Sequence, residues 1–210
     1  LEVVLPTGEI VHLGGTTPDT PGYDLTGLFV GSEGTFGIVT QITVRLMRKP
    51  EAVKTILGTF ATVSDASNAV SGIIGDGIIP AALEMMDNLT IQAVEAATGA
   101  GLPLDAGAVL LIELDGIANG MESDAARIAD ICNEHGCLGV RMAKDEAERA
   151  LLWKGRKEAF GAIGRLTPNY YTHDGVIPRT RLPEALERLL DISRKHKLRI
   201  ANVFHAGDGN

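Results

Sequence analysis

From about residue 51 onward, short apolar runs alternate with stretches of helical period, and the links between them are short. Joining parallel neighbours takes a crossover of about a dozen residues or more, so short links favour antiparallel pairing. Strands are expected at Val53–Phe60, Ala81–Met86, the run "AVLLIELDG", Leu138–Met142, Tyr170–Ile177 and Arg199–Phe204. Helices are expected after a cap at Ser64, over Asn88–Ala97, near Glu122–His135, over Asp145–Arg165 and over Pro183–Lys197. Ala125, Ile128, Ala129 and Cys132 fall on one helical face, as do Leu182, Leu186, Leu189 and Leu190. The fold class read from this pattern is α+β: a ferredoxin-like antiparallel sheet, or two related ones, with helices on one face.

The first fifty residues read differently. Leu1–Leu5 and Ile10–Leu13 flank a turn at Pro6–Glu9, as in a hairpin. A loop rich in Gly, Pro, Asp and Thr follows, "GGTTPDTPGYDLTG". Next, Ile38, Thr40, Ile42, Val44 and Leu46 share one parity, the signature of a long half-buried strand. Pro50 and Glu51 mark a boundary, giving domains 1–50 and 51–210. The chain opens on a strand without methionine and stops in a glycine-rich loop, "NVFHAGDGN", so an internal piece of a longer chain is expected.

Composition narrows the function classes. A net charge of −8 with no basic block argues against nucleic-acid binding, which needs clustered cations to displace counterions. No apolar run nears the roughly 20 residues that span a bilayer. The expected compartment is the cytoplasm. Cys132 and Cys137 are too few for a disulfide framework and are read as structural thiols.

Four stretches can carry chemistry. "GSEGTFG" spaces Gly31, Gly34 and Gly37 by threes ahead of a strand, so the helix-terminus argument for phosphate does not apply. Such a loop can still bring backbone N–H groups close to an anion, with Ser32 and Thr35 adding hydroxyls. On spacing alone a plain glycine-rich turn between two strands is the favoured reading. In "LLWKGRKEAFGAIGRL", Trp153 and Arg156 are neighbours on one helical face, and Arg suits a carboxylate. Taken by itself, a solvated basic face of Lys154, Arg156 and Lys157 is the favoured reading. In "NYYTHDGVIP", strand alternation would put Tyr171 and His173 on one side. His205 ends the last apolar strand; imidazole is a common metal ligand, but one His does not make a site.

Taken in order, "YDLTGLFVGSEGTFGIVTQITVRL", "ALEMMD", "LLIELDG", "LWKGRKEAFGAIGRL", "YYTHDGVIPRTRLPE" and "ANVFHAGDGN" resemble the FAD-linked oxidases with a vanillyl-alcohol-oxidase-type FAD-binding domain. The branch acting on glycolate or D-lactate is the most similar. The resemblance implies that residues 1–50 are the last piece of an FAD-binding domain and 51–210 a substrate domain. It implies FAD contacts at Gly31, Ser32, Glu33, Gly34, Thr35, Gly37, Ile38 and Val39. It gives Arg156 the grip on the substrate carboxylate, makes His205 one ligand of a divalent metal (zinc, manganese or iron), and makes Asn210 a substrate-facing amide. The reaction implied is oxidation of a small 2-hydroxy acid to the 2-oxo acid, with accessory redox subunits as partners. A Lys of the dicarboxylate-oxidising branch aligns with Thr172 here, which favours a monocarboxylate. The alternatives are a bulkier D-2-hydroxy acid, or a non-catalytic α+β binding module.

Overall fold

The computed structural model describes residues 1–17 and 22–210. Residues 18–21 of the expected glycine- and proline-rich loop lie outside the described residues. The chain divides into two compact units, Leu1–Lys49 and Pro50–Asn210.

The first unit holds β1 (Glu2–Val4), β2 (Ile10–His12), α1 (Leu25–Phe29) and β3 (Ile38–Gln41). The three strands form an antiparallel sheet in the order β2-β1-β3. Asp24 caps α1, its carboxylate accepting from Gly27 N–H at 2.9 Å. The strand expected over Ile38–Leu46 stops at Gln41, and Ile42, Val44 and Leu46 are exposed. A strand persists only while a partner ladder runs beside it, and β1 offers three residues, ending opposite Gln41.

The second unit is built on β4 (Ala52–Phe60), α2 (Val63–Gly75), β5 (Ala82–Asp87), α3 (Asn88–Thr98), β6 (Ala108–Gly116), α4 (Met121–Glu134) and β7 (Cys137–Met142). After these come α5 (Glu146–Lys157), α6 (Ala159–Ile163), α7 (Leu182–His196) and β8 (Val203–His205). The sheet order is β7-β4-β6-β5-β8, every neighbouring pair antiparallel. Its first four strands have the ferredoxin-like order, and β8 extends the sheet beyond β5.

Helices cover both faces, not one. Along β6, Leu110, Ile112 and Leu114 pack with α2, α4 and α7, while Val109 and Leu111 pack with α3, α5 and α6. An uninterrupted apolar strand must be covered on both sides. The α2 cap is Thr62, which accepts from Asp65 N–H at 3.1 Å; Ser64 lies inside the helix. The helix expected over 145–165 breaks at Glu158 into α5 and α6. Residues 170–177 form no strand, because their alternation has no neighbouring strand to pair with, and Tyr171 and Val176 are exposed. The last strand pairs only over Val203–His205.

Candidate functional site

Antiparallel register places the first two site residues. Glu84 on β5 and His205 on β8 are cross-strand partners, so their side chains share a face. Glu84 has the parity of Met86, which packs toward α3, α5 and α6. Helix α5 lies over that face. Asp145 caps it, accepting from Glu148 N–H at 2.8 Å, and Leu152 is buried beneath it.

Arg149, Trp153 and Arg156 follow one another at i, i+4 and i+7 on α5, and two strand carboxylates hold them. Glu113 of β6 accepts a bidentate pair from Arg149, both contacts 2.9 Å. It also accepts from the Thr55 hydroxyl at 2.9 Å and from the Trp153 indole N–H. Burial pushes the Glu113 carboxyl up, but the hydrogen bonds from Arg149, Thr55 and Trp153 and the Arg149 charge outweigh it and hold it below the usual range. A hollow of about 500 Å³ runs along this part of α5, lined by Glu113, Arg149, Trp153, Lys154 and Lys157; Arg156 and His205 do not line it.

Glu84 is the second carboxylate, and its oxygens are divided. Oε2 accepts from Arg156 Nε at 2.8 Å and lies 2.7 Å from Nη2. Oε1 lies 2.7 Å from Nδ1 of His205. The Glu84 side chain is 11% exposed, Arg156 19% and His205 31%. Arg156 Nη1 makes no hydrogen bond among the described residues, and His205 Nε2 faces only the exposed Asp208 carboxylate, at 3.3 Å. One buried acid thus joins a guanidinium and an imidazole that keep polar atoms available.

Two further groups seat His205. Asp87, at the end of β5, accepts from the backbone N–H of Asn202 at 2.7 Å, from its amide at 2.9 Å, and from Thr90 N–H at 2.9 Å. Burial pushes the Asp87 carboxyl up, against the pull of those donors. After His205 the chain turns back on itself, so that the N–H groups of Asp208, Gly209 and Asn210 reach the His205 carbonyl. Gly209 has φ +80°, and a Cβ there would collide with the Ile177 carbonyl.

Sequence reasoning singled out Arg156 and His205, and the fold brings them onto one carboxylate. Asn210 is joined to His205 through backbone bonds, while its own amide makes no hydrogen bond to Glu84, Arg156 or His205. Tyr171 and His173 lie side by side, ring centres 4.8 Å apart, on an irregular exposed segment. Glu84 and Glu113 were missed. The signal for both was an acid inside an otherwise apolar strand, which must have a cation nearby.

In the first unit, Glu33 (φ 49°) and Gly34 (φ 80°) are both left-handed, and Thr35 N–H donates to the Ser32 carbonyl at 3.0 Å. That φ pattern is a type I′ turn. The Thr35 hydroxyl donates to the same carbonyl at 2.6 Å, and the Ser32 hydroxyl makes no hydrogen bond among the described residues. Among the described residues nothing stands within 4 Å of a Cβ built on Gly31, whereas one on Gly37 would press on Val3 and Val4 of β1 and on the Phe29 ring. Ile38 and Val39 follow with exposed side chains.

Residues 49–210 match the family described as FAD linked oxidases, C-terminal domain. The chain belongs to the FAD-linked oxidases. It is 50% identical over its whole length to the glycolate oxidase subunit GlcD of Escherichia coli K12, covering 42% of that protein. It is 35% identical, again over its whole length, to a probable mitochondrial D-lactate dehydrogenase of Danio rerio, covering 43% of it. The chain therefore spans less than half the length of these curated relatives. The structure of 4-ethylphenol oxidase from Gulosibacter chungangensis shares the fold, with a TM-score of 0.70 at 18% identity, covering 98% of this chain and 48% of that one.

An FAD-linked oxidase needs a place for its flavin. Gly31 and Gly34 are both left-handed, and the space a Cβ would take at Gly31 is open among the described residues while at Gly34 it touches the Ile38 side chain; with apolar Ile38 and Val39 exposed beside them, the segment fits close approach of a polar cofactor. Gly37 is explained by close packing on β1 and the Phe29 ring, without a cofactor. The metal fits less well. No three His, Cys, Asp or Glu side chains are grouped to hold an ion among the described residues, so His205 is at most one ligand. Among the described residues no helix is long and apolar enough to cross a membrane.

Proposed function

We propose that this chain supplies the carboxylate-gripping half of an FAD-dependent dehydrogenase that oxidises a small 2-hydroxy acid, glycolate or D-lactate, to its 2-oxo acid. The names of the E. coli and zebrafish relatives support the substrate class. The observation that carries the reading is the Arg156–Glu84–His205 constellation. Residues 1–50 are then the closing piece of a flavin-binding domain, and 31–39 its cofactor-facing strip. Accessory redox subunits are proposed partners, and the cytoplasm the compartment.

Arg156 receives the substrate carboxylate. Its Nε edge is committed to Glu84, which fixes the plane of the guanidinium and directs the remaining donors. A carboxylate bound there has its C2 substituents in a defined orientation, which supplies much of the rate advantage of an enclosed reaction. His205 offers Nε2 to the hydroxyl side; a divalent cation held by His205 would use the same nitrogen. Bound FAD supplies the two-electron acceptor for the hydride leaving C2. Asn210 lies close enough in chain to contact the same substrate.

The test uses the full-length protein. Anaerobic addition of glycolate or D-lactate should bleach its flavin absorbance and yield the 2-oxo acid. A flavin that stays oxidised with both acids overturns the proposal.

A further inference from the structure

Glu84 orients Arg156, and among the described residues it is the one side chain that also touches His205. A carboxylate accepts and does not donate when ionised. Arg156 has donors only, and it occupies Oε2 through Nε and Nη2. Oε1 is left for His205, and the short contact is to Nδ1. Nδ1 must therefore carry a proton, and neutral His205 holds its lone pair at Nε2. The competing contact, from Nε2 to Asp208, is longer at 3.3 Å and involves a side chain that is 80% exposed. A buried acceptor at 2.7 Å dominates a solvated one.

We infer that Glu84 is a positioning residue: it sets the tautomer of His205 through Nδ1 while holding Arg156, so that the anion grip and the Nε2 lone pair are presented together. The inference rests on the functional reading above for its kinetic part, but not for its structural part. A single residue on β5 couples two residues from α5 and β8, elements that reach the site from far along the chain.

Glu84→Gln separates the two duties. An amide has one oxygen and one NH2. Arg156, having no acceptor, takes the oxygen. The NH2 then faces Nδ1, which must accept, and the proton moves to Nε2. The grip survives while the lone pair is lost.

The experiment is two-bond proton–nitrogen correlation of 15N-histidine-labelled full-length protein, dialysed against chelator, above the ordinary His titration range. His205→Gln assigns the signal. The wild type should show the Nδ1–H form and Glu84→Gln the Nε2–H form. In parallel, Glu84→Gln should lower kcat for the 2-hydroxy acid by about a hundredfold, the scale of a lost proton-handling group, with KM within about threefold. Nε2–H in the wild type overturns the inference even if the variant fails to fold. So does an unchanged tautomer, or an unchanged kcat, in a folded variant. If the wild-type enzyme oxidises neither acid, the functional reading fails, and the tautomer measurement still decides the role of Glu84.

Discussion

Glu84 and His205 face each other across the β5–β8 ladder, with a carboxylate oxygen of one 2.7 Å from a ring nitrogen of the other. The geometry depends on register, because a slip of one residue in a strand sends every side chain to the opposite face. Strand β8 is only three residues long, too short to fix its own register. Asp87 does that from the end of β5. Its carboxylate grips Asn202, the residue before the strand, by backbone and side chain together.

Asp87→Ala should therefore lower stability and disturb the site at once. It removes the α3 cap and leaves the N–H of Thr90 and the donors of Asn202 without an acceptor. A lost cap and orphaned donors together cost about 2–3 kcal/mol. Denaturant unfolding measures the first effect. The second is a fall in kcat/KM of the full-length protein for the proposed 2-hydroxy acid substrate at temperatures where the variant is still folded. A variant as stable and active as the wild type would show that β8 is registered by something else.

Glu113 gives a pH prediction. Its carboxyl lies below the usual range in the folded protein, so the folded state favours the ionised form. The stability this contributes is fully present above the ordinary glutamate range and is lost as pH falls through the lowered folded value. Glu113→Gln should remove that part of the acid sensitivity, flattening stability against pH below about 4.5 while lowering it at neutral pH. Unfolding midpoints across the acid range check this. Parallel curves for the variant and wild type would mean that other carboxylates carry the acid transition.

The sequence shows one side of this site and conceals the other. Arg149, Trp153 and Arg156 sit at helical spacing, and local periodicity exposes such a stripe. Their acceptors, Glu113 and Glu84, lie 36 to 72 residues away, and pairing at that range leaves no local pattern. The same reason explains the strands that failed. Residues 170–177 and 42–46 alternate properly, but alternation states a preference and only a neighbouring strand satisfies it. The second helical layer lies outside the expectation of helices on one face, although the sequence carries its signal. "AVLLIELDG" is apolar without a break over its first five residues, which a sheet open to water on one face does not need.

Cys132 should be inert in the native protein. It is fully buried in the α2–α4 layer, and burial, with a smaller contribution from Cys137, pushes its thiol up to about 12. At pH 8 roughly one such thiol in ten thousand is ionised, and the thiolate is the reactive form. Iodoacetamide followed by peptide mass spectrometry should find Cys132 unmodified natively and modified in denaturant. Native labelling would show that the layer opens readily.

Arg156 has two roles that can be separated. Arg156→Ala removes the cation from a carboxylate whose side chain is only 11% exposed, and breaking such a pair on one side costs about 3 kcal/mol. It also removes the proposed substrate grip. The double variant Arg156→Ala with Glu84→Gln no longer buries an unpaired charge, so most of the lost stability should return. Activity should not return with it, since neither anion grip nor tautomer control is restored. Unfolding curves and kcat/KM measured on all four proteins of this cycle resolve the two effects. Recovery of both quantities together would reduce Arg156 to a structural partner of Glu84.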